Sequence, residues 1–142
     1  FIGGGDVAVT ALKIAAGKTQ LPFFEALIRG VLCNTLVCLA VWLAFAAHTV
    51  PGKVMAVIFP VTAFVALGFE HSVANMYLIP VGFVAAQDVA TVTTSGLTTE
   101  ALSTLTPAGF MANLIPVTIG NILGGSVLVA AVYWLCYLRP SK

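Results

Sequence analysis

Glu70 and His71 stand side by side inside a stretch, 54–86, that is otherwise almost entirely apolar. An ionisable group in the middle of a bilayer costs about 2.5 to 3.5 kcal/mol on insertion scales, so such a pair needs either a structural reason or a function. One reading makes Glu70 a cap for interrupted backbone and His71 a satisfied polar side chain. The other turns His71 towards a pathway, where an imidazole can gain or lose a proton near neutral pH, and gives Glu70 the task of orienting what surrounds it.

Asn34 and Asn121 are two further deep amides. Each can tie helices together through a hydrogen bond worth about 0.6 to 2 kcal/mol in a bilayer, or offer two donors to a passing anion or to the His71 ring. Lys18 and Arg29 read as interfacial anchors or, near a pore mouth, as charges that draw anions through their field. Gly120, Gly124 and Gly125 carry a packing message, and Pro80 and Pro116 read as kinks. The sequence contains no HExxH, GxSxG or P-loop and no second histidine at membrane depth, so catalysis is not expected. Cys33, Cys38 and Cys136 lie in apolar runs without ligand spacing, so neither a metal nor another cofactor is expected.

Depth requires a membrane, and the composition supplies one. Of the 142 residues, 60% are hydrophobic and 8% charged, against roughly a quarter charged in ordinary soluble domains. The mean hydropathy is +1.07. A soluble globular fold is excluded, and a net charge of +1 leaves no basic surface for nucleic acid.

The elements that must position these residues follow from apolar length. After a Gly3-Gly4-Gly5 turn, Val9, Leu12, Ile14 and Ala15 recur at helical spacing, with Lys13 and Lys18 off that face. The segment 1–22 is therefore expected to hold a short interfacial helix over 6–17. A first span begins at Leu27 or Gly30 and ends at Ala47, before the breakers His48, Pro51, Gly52 and Lys53. Counted from Gly30 it reaches about 27 Å, close to the roughly 30 Å hydrocarbon core. The stretch 54–86 as one helix would reach about 50 Å, so it must be interrupted.

Gly68-Phe69-Glu70-His71-Ser72 is that interruption, leaving apolar pieces 54–67 and 73–86 of about 21 Å each. Discontinuous membrane helices are tolerated only where the opened backbone is buried in protein or lines a cavity. The segment 87–107 turns polar, with Asp88 and Glu100 and no Lys or Arg, and reads as a loop with room for one short helix. A last span runs from Phe110 or Leu114 to Tyr137, bordered by the belt Tyr133, Trp134 and Tyr137 and stopped by Arg139-Pro140. The expected fold is all-α and integral to the membrane, with three transmembrane helices of which the middle one is broken. Lys53, Arg139 and Lys142 fall on one side, balanced by Lys13, Lys18 and Arg29 on the other, and the loop without basic residues places the C-terminus inside. A chain opening at Phe1, with no Met or basic leader, is expected to be a piece of a longer protein.

Three blocks carry a family resemblance. Gly68-Phe69-Glu70-His71-Ser72-Val73-Ala74-Asn75-Met76 resembles the broken fifth helix of the formate/nitrite transporter family. The run from Ile115 through Pro116, Gly120 and Asn121 to Gly125 resembles its sixth, and Arg29 through Asn34 and Val37 to Trp42 its fourth. The resemblance implies an aquaporin-like protomer of six helices in two inverted repeats, assembled as a homopentamer with one pore per protomer. Residues 1–142 would then supply helices four to six of one channel domain, the second repeat, in the inner membrane with a cytoplasmic C-terminus.

By the same resemblance His71 is the central pore histidine and Asn34 and Asn121 its polar surroundings. Glu70 is a neighbouring network carboxylate, Lys18 a vestibule lysine that attracts anions, and Phe64 and Val37 are constriction residues. The implied function is passage of small monovalent weak-acid anions such as formate or nitrite, linked to protons through His71. The helix starting near Ser72 would aim its first amides at mid-membrane, where an anion is poorly solvated. Two alternatives remain open at this point, a neutral-solute channel of the aquaporin type and a membrane scaffold without transport.

Overall fold

A computed structural model describes residues 5–139. Gly3 and Gly4 of the expected turn, and Pro140 and Lys142, lie outside the described residues. Every regular element among the described residues is helical. The chain divides into two compact units, Phe1–Glu25 with Ser72–Pro116 and Ala26–His71 with Val117–Lys142.

In the first unit, α1 (Asp6–Thr19) carries Asp6 in its first turn and Lys18 in its last, both matched to the helix dipole. Part of its expected apolar face is covered by protein: Leu12 and Ala15 are fully buried while Ile14, expected beside them, is exposed, and the helix packs on α4 (Ser72–Ala85). The approach is close enough that a Cβ at Gly82 would collide with the Ala15 side chain. The chain then bends by 109° into α5 (Val89–Ser95).

Two short helices, not one, occupy 87–107. Asp88 caps α5, accepting from the Thr91 amide at 3.1 Å and the Thr91 hydroxyl at 2.6 Å. Gly96 at φ +64 closes that helix, and Thr98 caps α6 (Thr99–Ser103) through the Ala101 amide at 3.2 Å. A side-chain acceptor at the N-cap and a left-handed residue after the last turn are the local signals that start and stop helices, and this segment contains both within a few residues. Val92, Leu97, Leu102 and Leu105 turn inward onto the Ala8, Leu12 and Ala85 core.

Helix α2 (Phe23–Ala46) has 24 residues and starts ahead of both Leu27 and Gly30. Pro22 directly precedes it and Glu25 sits in its first turn, both compatible with a helix start. In the second unit α3 (Val50–Ala66) also starts early, because the supposed breaker Pro51 lies in its first turn. There a missing N–H costs nothing, and the Thr49 hydroxyl accepts from the Gly52 amide at 3.2 Å. The break covers 67–71, and Ser72, expected inside it, is already the first residue of α4.

Helix α7 (Pro107–Ile122) begins before Phe110, with Thr106 accepting from the Gly109 amide at 3.1 Å. It runs on as wider π-helical turns through Leu123–Ala131 and Trp134–Leu138. Glycines 124 and 125 are weak helix formers, and the Ser126 hydroxyl bonds the Ile122 carbonyl at 2.5 Å, both of which loosen regular α-geometry. Among the described residues, two helices are long and apolar enough to cross a membrane, Phe23–Ala46 and Pro107–Leu138. The stretch expected to make a third crossing is divided into α3 and α4, of 17 and 14 residues.

Candidate functional site

The break is a regular helix ending, not a melted segment. Gly68 sits at φ +65, a left-handed conformation that glycine adopts without the Cβ penalty of other residues. Its amide donates to the Val65 carbonyl at 3.1 Å, and the Phe69 amide reaches back to the Phe64 carbonyl at 3.0 Å. Those two bonds are the Schellman pattern, which satisfies carbonyls that would otherwise be stranded at the end of α3.

The backbone beyond that pattern is held by side chains and backbone of α2 and the 117–138 helix. Arg29 Nη1 donates to the Gly68 carbonyl at 3.1 Å, and the Arg29 carbonyl accepts from the Glu70 amide at 3.4 Å. Asn121 Nδ2 donates to the Glu70 carbonyl at 3.0 Å and to the Gly30 carbonyl at 2.9 Å. Asn34 Nδ2 in turn donates to the backbone carbonyl of Asn121 at 2.6 Å. In a lipid environment a stranded carbonyl costs several kcal/mol, so these donors are what permits the chain to open here.

Small residues bring the helices close enough for the bonds to form. A Cβ at Gly30 would lie 2.8 Å from the Val117 carbonyl oxygen, and at Gly120 or Gly124 it would collide with the Leu27 or Val31 carbonyl. Gly120 and Gly124 thus pack on the backbone of α2, and Gly125 on the Asn34 and Cys38 side chains.

His71 stacks on Phe64, with ring centroids 6.1 Å apart and planes inclined by 27°. Both rings are half-buried. Glu70 is 3% exposed. Val37 lies one turn beyond Asn34 on α2 and is half-buried. His71, Glu70, Asn34, Asn121, Phe64 and Val37 thus all belong to the second unit, where Asn34 and Asn121 meet each other and Asn121 meets the peptide preceding His71. Lys18 belongs to the first unit, half-buried at the end of α1.

Sequence reasoning passed over two features. Arg29 reads from the sequence as an interfacial anchor or a pore-mouth charge, with no sign that its guanidinium bonds the break. In the first unit Asn75 and Asn113 are buried, with Asn75 Nδ2 donating to Asn113 Oδ1 at 2.8 Å and Asn113 Nδ2 to the Lys18 carbonyl at 2.9 Å. The signal for this pair was present: both are amides in apolar runs, the same criterion that singled out Asn34 and Asn121. No group of three His, Cys, Asp or Glu side chains suited to a metal occurs among the described residues.

The formate/nitrite transporter family model matches residues 1–135. Formate channel FocA of Escherichia coli (strain K12) is 45% identical over 141 residues, covering 96% of this chain and 49% of the relative. A probable formate transporter of Methanothermobacter thermautotrophicus is 48% identical over 128 residues, covering 89% and 41%. Among solved structures, a pentameric formate channel with formate bound superposes with a TM-score of 0.85 at 39% identity, covering 98% of this chain and 56% of that one. An FNT family ion channel gives 0.73 at 36% identity, covering 92% and 46%. The chain spans about half the length of the curated relatives it matches. A match over nearly its whole length, together with apolar helices of membrane-crossing length, makes the chain an integral membrane member of the formate/nitrite transporter family.

Proposed function

We propose that this chain forms half of a pore for formate or a similarly small weak-acid anion, with His71 sharing a proton with the passing ion. The observation that carries the reading is the half-exposed His71 ring, stacked on Phe64 at the break between two helices. Arg29 and Asn121 hold the opened backbone just before it. A half-exposed imidazole next to that backbone supports a role in proton exchange. Relatives named as formate channels favour an anion over a neutral solute.

The mechanism follows from charge. Formate carries one negative charge, and apolar side chains such as Phe64 and Val37 make its crossing costly. A protonated His71 gives its ring proton to a formate oxygen, leaving neutral imidazole and neutral formic acid, which passes the constriction without the desolvation cost of the ion. The acid releases its proton on leaving, and His71 is reprotonated from water. In this reading Asn34, Asn121 and Glu70 form the polar surroundings of His71, and Lys18 concentrates anions at the vestibule. The chain acts as the second of two inverted repeats in a homopentamer in the inner membrane, with its C-terminus cytoplasmic. Lipid and protons are its other partners.

The test is formate flux through the full-length protein in liposomes as a function of pH. His71→Phe keeps an aromatic ring against Phe64 and is expected to flatten or shift the pH profile. An unaltered profile in that variant overturns the proton-sharing role. Flux of a neutral solute without competition by formate would instead support the aquaporin-type alternative.

A further inference from the structure

The geometry points to Arg29 as a positioning residue for transport, one that fixes the height of the His71-Phe64 stack without touching the anion. The inference rests on the pore reading above and adds a residue to it. Arg29 grips the break at two places, its guanidinium on the Gly68 carbonyl at 3.1 Å and its own carbonyl on the Glu70 amide at 3.4 Å. These contacts bracket Phe69 and stop one residue short of His71.

The Schellman bonds take up the Phe64 and Val65 carbonyls, and the Gly68 carbonyl beyond them accepts from the Arg29 guanidinium. A charged donor is the strongest partner available to it, and at the C-terminal end of α3 the positive charge also meets the negative end of the helix dipole. That placement offsets the guanidinium charge locally. It argues against the pore-mouth reading of Arg29 as a charge drawing anions through its field. A guanidinium is charged and keeps four further N–H donors while one serves Gly68, where an amide is neutral and keeps one.

Losing the side-chain grip leaves the turn tied to α2 only by the Arg29 carbonyl on the Glu70 amide, while Asn121 still holds the Glu70 carbonyl from the other side. The expected consequence is a shifted or mobile ring pair, and so a lower rate of passage at unchanged anion affinity. A residue acting by long-range attraction would do the opposite, changing the concentration dependence first.

The experiment measures formate flux against formate concentration in liposomes containing the full-length protein, for wild type, Arg29→Lys and Arg29→Gln at equal reconstituted amounts. Arg29→Gln is expected to lower maximal flux about tenfold, the size set by loss of one hydrogen bond from a charged donor, with the half-saturating concentration unchanged. Arg29→Lys restores most of the flux. Amide hydrogen exchange supplies a second measurement that needs no transport: the Glu70 amide is expected to exchange faster in Arg29→Gln than in wild type or Arg29→Lys. Wild-type flux in Arg29→Gln overturns the proposal, and so does a raised half-saturating concentration with maximal flux intact. Exchange at Glu70 that ignores the substitution also overturns it. A wild-type protein that carries no formate fails the pore reading itself, an outcome separable from the others because it appears before any variant is compared.

Discussion

The side-chain amide of Asn121 donates to the Glu70 carbonyl at 3.0 Å, joining the 117–138 helix to the peptide immediately before His71. The same nitrogen donates to the Gly30 carbonyl on α2 at 2.9 Å, so one side chain secures three segments of the second unit. Asn121→Leu keeps approximate size and removes both bonds. It is expected to destabilise the protein by about 1 to 3 kcal/mol for each acceptor left buried without a donor. Thermal unfolding of the detergent-solubilised protein measures this, and a midpoint equal to wild type would contradict it.

The Phe64-His71 stack can be tested from its other member. Phe64→Ala removes a ring that contributes about 0.5 to 1.5 kcal/mol beyond its buried area, and in the pore reading it also widens a constriction. Formate flux is expected to rise or lose selectivity while thermal stability falls modestly. Equal flux and equal selectivity against larger carboxylates such as lactate would remove Phe64 from the path.

Gly120 and Gly124 meet carbonyls of α2 where a Cβ would collide. Backbone cannot swing aside as a flexible side chain can, so Gly120→Val or Gly124→Val forces the helices apart. The cost is expected to reach about 1 to 3 kcal/mol, as in other overpacked interiors. Gly96, with nothing within reach of an added Cβ but a φ of +64, serves as the control in which strain is conformational only. Similar unfolding midpoints for Gly124→Val and wild type would argue against close helix contact.

Asp88 caps α5, and the Thr91 hydroxyl bonded to its carboxylate holds its pKa below the ordinary aspartate value of 3.8. Its folded pKa therefore lies below its unfolded one. The cap's contribution is fully present above 3.8 and is lost as pH falls through the lowered folded value. Asp88→Ala is expected to speed exchange of the Thr91 amide at neutral pH, and wild type is expected to approach the variant only in acid. Identical exchange at neutral pH would show that α5 does not depend on this cap.

The position of the break was legible in the sequence, since an apolar stretch too long for one crossing, a glycine able to turn left-handed and two ionisable residues at depth all fall at one place. The amphipathic spacing of α1 and the apolar lengths of α2 and the last helix were legible for the same reason: each depends on residues near one another in the chain. Helix starts were less so. Pro51 looked like a breaker, yet a proline in a first turn gives up no hydrogen bond, and only the Thr49 cap reveals which case applies.

Hydrogen-bond partnership was decided by tertiary structure alone. Asn121 lies 51 residues from Glu70 and 91 from Gly30, and Arg29 lies 39 residues from Gly68. A sequence announces that an amide or guanidinium at membrane depth must find an acceptor, because leaving it unpaired in lipid is costly. Which carbonyl it finds depends on how closely glycine-lined helices approach and on which backbone the break exposes, and both are set by packing between segments far apart in the chain.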